Sequence, residues 1–159
     1  MNLFKSSEII DVGIEKEKKR RDFYGLVSEK FKDPQLKDLF KKLRDWEEAH
    51  VQKFTEIKST LEDFKMKESY DGELQNYMDS LVDEKLYNDV TPDNFSRNVK
   101  GPVDAINYGI SFEKDAILFF MEFQPYLKDA NKDIIQKLIN EEKKHLIYLT
   151  ELRKKYNAQ

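Results

Sequence analysis

Hydrophobic residues recur at steps of three and four along four segments of the chain, the pattern of amphipathic helices that each bury one stripe. The segments run approximately over residues 6–31, 35–62, 102–127 and 132–156. Pro34 and Pro102 suit the first turns of the second and third helices, because proline lacks only a donor that the first turn leaves unused. The pattern therefore predicts four long helices.

The connections between these segments differ in length. The joins around residues 32–34 and 128–131 are short, which predicts two antiparallel hairpins, residues 6–62 and 102–156. The crossover between them, residues 63–101, can run the length of a bundle and holds a further helical pattern at residues 73–85. We therefore expect a single all-α domain over residues 1–159, built as a four-helix bundle.

Each predicted stripe is apolar except at one level. The interruptions are a Glu-x-x-His pair in the second and fourth helices and a lone glutamate in the first and third: Glu47 with His50, Glu142 with His145, Glu17, and Glu113. A spacing of three places both side chains of a pair on one helix face. A single Glu-x-x-His would more often be an exposed pair or a core histidine, but here the chain's two histidines both lie in such motifs.

The positions of these residues along the predicted helices provide an independent check that the side chains meet. Residues that are level in an antiparallel hairpin lie equally far from its turn, and the midpoints of the pairs 17/47 and 113/142 fall at 32 and 127.5, at the two predicted turns. A rise of 1.5 Å per residue places both levels about 22 Å from their turns. All six side chains are therefore expected in one layer near the middle of the bundle.

Four buried carboxylates would repel one another and lose hydration unless cations neutralise them. Two divalent ions would offset these charges, with two neutral imidazoles completing the coordination. Oxygen mixed with imidazole nitrogen suits iron or manganese, with zinc as a common substitute. We expect two metal ions, iron first, with manganese or a mixed iron–manganese pair as alternatives.

Composition excludes other chemistry. The absence of cysteine removes thiolate zinc sites, iron–sulfur clusters and cysteine nucleophiles. A net charge of -3 gives no case for nucleic acid, and we interpret the basic run at residues 16–21 as a solvated helix face. The longest apolar stretch, residues 116–121, is too short for a bilayer and the N-terminus lacks a signal-peptide pattern, so we expect a cytoplasmic protein with no membrane partner.

The four motif segments resemble the rubrerythrin-type branch of the ferritin-like superfamily, whose connectivity is also two hairpins joined by one crossover. The similar segments are GIEKEKKRRDFY, LRDWEEAHVQKF, ISFEKDAILFF and INEEKKHLIYL. The resemblance implies two bridging glutamates and one Glu–His pair on each metal: Glu47 and Glu142 as bridges, Glu17 with His50, and Glu113 with His145. It also implies Tyr24 as a hydrogen-bond partner behind the ligands, and a tyrosine that only packs in the core is the equally weighted alternative.

Three departures from typical rubrerythrins matter. Without cysteines there is no rubredoxin-like iron centre, so reductive turnover would need an external redox protein as electron donor. Ala116 stands where the family has an extra glutamate, three residues after the third-helix ligand, and the crossover is longer. Bacterioferritins share the ligand set, but only fourteen residues follow His145 here, so we do not expect the fifth helix of a storage shell.

The resemblance implies an oxidoreductase whose di-metal centre reacts with hydrogen peroxide or oxygen. One alternative is a protein that binds, stores or senses iron without turnover. Another is a structural metal site with the crossover as a partner-binding surface. The exposed faces of such a bundle would also suit a homodimer.

Overall fold

A computed structural model of the chain describes residues 5–61, 70, 72–81 and 84–158. Its helices are α1 (Ser6–Lys30), α2 (Pro34–Thr60), α3 (Glu73–Leu81), α4 (Glu84–Asn88), α5 (Pro92–Asn98), α6 (Pro102–Phe123) and α7 (Asp129–Asn157). A 3₁₀ turn, Gln124–Tyr126, lies between α6 and α7. The predicted all-α architecture with four long helices is confirmed, with short helices in the crossover. Residues 62–69 of the predicted second helix and crossover lie outside the described residues.

Local chemistry explains where the long helices start and stop. Pro34 is the first residue of α2, and the preceding Asp33 side chain accepts a hydrogen bond from the Leu36 amide at 2.9 Å. Pro102 likewise begins α6. That helix ends at Phe123, before the predicted 127, because Pro125 has no amide hydrogen for the helical ladder. The fourth long helix then begins at Asp129, three residues earlier than predicted.

The crossover holds more helix than its sequence pattern predicts. Within the expected helix at residues 73–85 the structure describes α3 over Glu73–Leu81 and the beginning of α4 at Glu84, and residues 82–83 lie outside the described ranges. A further short helix, α5, starts at Pro92 and is capped by the Thr91 hydroxyl, which accepts from the Asn94 amide at 3.3 Å.

The long helices pack as two hairpins, α1 against α2 and α6 against α7, which meet through contacts of α1 with α6 and of α2 with α7. Buried apolar residues form two clusters. One includes Phe54 and Phe120, and the other includes Phe23, Phe40 and Phe112. The crossover covers the second cluster, because Tyr87, Val90 and Phe95 belong to it. No helix in the described ranges is long and apolar enough to cross a membrane.

Candidate metal centre

The six predicted site residues lie together in a polar layer between the two apolar clusters. The four glutamate side chains have no exposed surface, and the two histidines are 1% and 4% exposed. Their ligand atoms form two groups, each lying within 4.8 Å: Glu17, Glu47, His50 and Glu142; and Glu47, Glu113, Glu142 and His145. Each long helix contributes to the layer, and Glu47 and Glu142 belong to both groups.

Both histidines turn Nδ1 toward these carboxylates. The His50 Nδ1 atom lies 2.9 Å from Glu142 Oε1 and 3.6 Å from Glu17 Oε2, whereas its Nε2 atom lies 2.7 Å from Glu141 Oε2. We assign the Nε2 proton as donated to Glu141, which would leave the Nδ1 lone pair facing the site when the ring is neutral.

His145 is held differently. Its Nδ1 atom lies 2.9 Å from Glu142 Oε2 and 3.6 Å from Glu47 Oε1. Its ring stacks on the Trp46 indole, with centroids 4.7 Å apart and planes at 8°. A rigid aromatic surface therefore fixes the direction of the ring on this side of the site.

Several buried polar atoms of the layer lack a hydrogen-bond partner among the residues that the structure describes. They are Glu17 Oε2, both oxygens of Glu47, His50 Nδ1, Glu113 Oε2, Glu142 Oε1 and one donor, Arg20 Nε. The 2.9 Å approach of His50 Nδ1 to Glu142 Oε1 is an ion-pair contact without hydrogen-bond geometry. Leaving such groups unpaired is costly, so their convergence from four helices indicates a missing binding partner. Oxygen and imidazole donors in this arrangement fit divalent metal ions.

Protons partly balance the charges of the metal-free site. Burial raises the pKa values of Glu17 and Glu113 well above the ordinary value. Burial opposes ionisation of Glu142 too, but contacts with His50 and other site groups lower its pKa to about 2. Burial disfavours a charged His145, yet the surrounding carboxylates raise its pKa to about 12, and the pKa of His50 is also raised.

Comparison with solved structures finds a crystal structure of a candidate ferritin-like diiron-carboxylate protein from Thermotoga maritima. It matches over 97% of both chains with a TM-score of 0.71 and 22% sequence identity. The fold is ferritin-like. Comparisons with models of protein families and with curated protein sequences find no match.

Tyr24, the remaining predicted residue, is fully buried beside the site. Its hydroxyl donates a hydrogen bond of 2.5 Å to Glu113 Oε1, so it connects α1 of one hairpin to a glutamate of the other. Burial and the adjacent Glu113 carboxyl raise the pKa of Tyr24 well above its ordinary value, which keeps the hydroxyl protonated as a donor.

The sequence interpretation of residues 16–21 as a solvated face is wrong at two positions. Arg20 has no exposed surface and Lys16 is 4% exposed. The Arg20 guanidinium pairs with Glu17, and its Nε atom lies 3.6 Å from Glu47 Oε2. The protein therefore contributes a guanidinium to the charge balance of the layer, beside the two metal ions expected from the sequence.

Two residues at the site were missed by sequence reasoning. Arg20 could have been found, because it lies three residues after Glu17 and so on the same helix face. Glu141 carries no such signal. It precedes a stripe residue and its carboxylate is half exposed, as expected for a solvated helix position.

Proposed function

We propose that this chain is a non-haem di-metal carboxylate protein, with iron as the expected metal, that reacts with hydrogen peroxide or oxygen. The observation that carries the proposal is the pair of ligand groups sharing two buried glutamates. In this assignment Glu47 and Glu142 bridge the two ions, and each ion takes one further glutamate and one histidine: Glu17 with His50, and Glu113 with His145.

When bound, two iron or manganese ions would supply the electrons that reduce the O–O bond of peroxide or oxygen. The chain's own residues prepare the site for that chemistry. The apolar clusters on both sides restrict access of bulk water to the layer. The Tyr24 hydroxyl holds a proton next to Glu113, and the Arg20 guanidinium offsets part of the carboxylate charge.

The similar protein from Thermotoga maritima supports the metal assignment through its name, which describes a diiron-carboxylate protein. The motif segments favour the rubrerythrin-type branch, whereas Ala116 replaces a glutamate typical of that branch. Because the chain has no cysteine, steady-state turnover would require a separate redox protein as electron donor.

Peroxide consumption tests this function. Iron-loaded, chemically reduced protein should consume hydrogen peroxide faster than a Glu47→Ala and Glu142→Ala double variant, which lacks both proposed bridges. A Glu56→Ala and Glu151→Ala double variant removes the same charge from exposed positions of the same two helices and should retain the wild-type rate. Equal rates for the wild type and the bridge variant would contradict the proposal.

The alternative of iron binding, storage or sensing without turnover is favoured by the absence of any cysteine-based electron carrier in the chain. It predicts oxidation of two ferrous ions per chain and no further consumption of oxidant when a reductant is supplied. Continued consumption under a reductant would exclude this alternative.

A further inference from the structure

The two halves of the candidate metal centre have the same ligand types but different supporting groups. In the half with Glu17 and His50, the terminal glutamate is paired with the Arg20 guanidinium. In the half with Glu113 and His145, the terminal glutamate accepts a hydrogen bond from the neutral hydroxyl of Tyr24. The first half therefore has a fixed positive charge against its carboxylate, and the second does not.

Arg20 is held in this position by partners on two other helices. Its Nη1 atom donates to the Tyr87 hydroxyl at 2.8 Å, and that hydroxyl donates to Asp115 Oδ2 at 2.7 Å. Lys16 also donates to Asp115 Oδ2, at 2.8 Å. This series of hydrogen bonds joins α1, α4 and α6, and Arg20 itself has no exposed surface. The guanidinium cannot easily leave for solvent when a cation arrives.

A fixed guanidinium opposes cation binding through its charge, because it repels an ion across a short distance inside a buried site. The Tyr24 hydroxyl is uncharged and has no such effect. Arg20 and Tyr24 each engage one oxygen of their glutamate and leave the other, Glu17 Oε2 or Glu113 Oε2, without a hydrogen-bond partner among the described residues, so the two halves differ in charge. Arg20 also approaches Glu47, which both halves share, but its closest ion pair is with Glu17, so the repulsion is strongest in the half that contains Glu17 and His50.

We propose that Arg20 makes metal loading stepwise: the half with Glu113 and His145 binds a divalent ion first and more tightly, and the half with Glu17 and His50 fills second. The proposal rests on the proposed di-metal function. It makes Arg20 a residue that sets the order and relative affinity of the two sites.

Calorimetric titration of the full-length, metal-free protein with Zn²⁺ tests this, with Co²⁺ absorption as a second readout. The wild type should show two steps whose dissociation constants differ by at least about tenfold. Arg20→Gln should reduce that ratio severalfold, and Arg20→Lys, which keeps a charge, should retain more of it. Arg21→Gln is the matched control, because Arg21 is the next residue but pairs with the partly exposed Glu48 at 2.7 Å.

The order of filling is tested independently of whether Arg20 variants fold. His145→Ala should abolish the tight step, whereas His50→Ala should abolish the weak step and leave the tight one. Equal affinities in the wild type, the reverse effects of the histidine variants, or an unchanged ratio in folded Arg20→Gln would overturn the stepwise proposal while leaving the di-metal function intact. Absence of any Zn²⁺ or Co²⁺ binding would instead contradict the di-metal function itself.

Discussion

Replacing Glu113 with glutamine should stabilise the metal-free protein and reduce the stabilisation that it gains from metal. Glu113 is fully buried, and burial together with Glu142 and Glu47 raises its pKa well above the ordinary value of a glutamate. The folded state therefore binds this proton more tightly than the unfolded chain. The contribution of Glu113 to the stability of the wild type is therefore greatest below about pH 4.5, and it falls as the pH rises toward the pKa of the folded state.

The size of the effect follows from that linkage. If the Glu113 carboxyl stays protonated in the folded state at pH 7, the free energy of unfolding is about 3 kcal/mol lower than with a side chain that does not titrate. At pH 5 the same difference is less than about 1 kcal/mol. Glutamine cannot ionise, is nearly isosteric, and still accepts the hydrogen bond from Tyr24. We expect Glu113→Gln to exceed the wild type in unfolding free energy by up to that amount at pH 7.

Urea unfolding of both proteins measures this difference, first in chelator at pH 5 and pH 7 and then with Zn²⁺. An excess of 100-fold over the dissociation constant should stabilise the wild type by about 2.7 kcal/mol per occupied site, and Glu113→Gln should gain less. A metal-free variant that is less stable than the wild type at pH 7 would refute the reasoning. Equal stabilisation of the two proteins by Zn²⁺ would also refute it.

Three further outcomes are expected. Glu141→Ala removes the partner of His50 Nε2 and should weaken Zn²⁺ binding about 10- to 100-fold by calorimetry, and unchanged affinity would show that this contact does not orient the ring. Carboxylates raise the pKa values of His50 and His145 despite burial, so a metal ion must displace protons from these rings. Metal binding should therefore weaken as pH falls, and it should release protons that are detected through the buffer dependence of the binding enthalpy. A pH-independent affinity would argue against that assignment. Asp33→Ala removes the cap of α2 and should cost about 1 kcal/mol of unfolding free energy in chelator, whereas no loss would mean that the cap is replaced.

Sequence periodicity was sufficient for the bundle because its long helices bury continuous stripes. Glu17 and Glu47 lie at the same height in their hairpin because the turn is short and the rise per residue is constant. Local rules therefore determine this long-range contact. The end of α6 was placed too late because the apolar pattern continues to Leu127, whereas Pro125 interrupts the backbone ladder there.

The environment of the site could be predicted less well. Arg20 lies in a run of basic residues that looks solvated, and its burial depends on Tyr87 in the crossover, a partner 67 positions away. No local pattern shows that α4 will lie over α1 and α6. Similarly, the hydroxyl of Tyr24 reaches Glu113 across the interface between hairpins, a choice that depends on how the two hairpins are rotated against each other.

The most direct test of the di-metal centre is an anomalous difference map, recorded at the iron absorption edge from crystals of iron-loaded protein. We predict two peaks per chain in the layer between the apolar clusters, both in contact with Glu47 and Glu142. No peak in that layer, or iron bound only at surface carboxylates, would contradict the proposed centre.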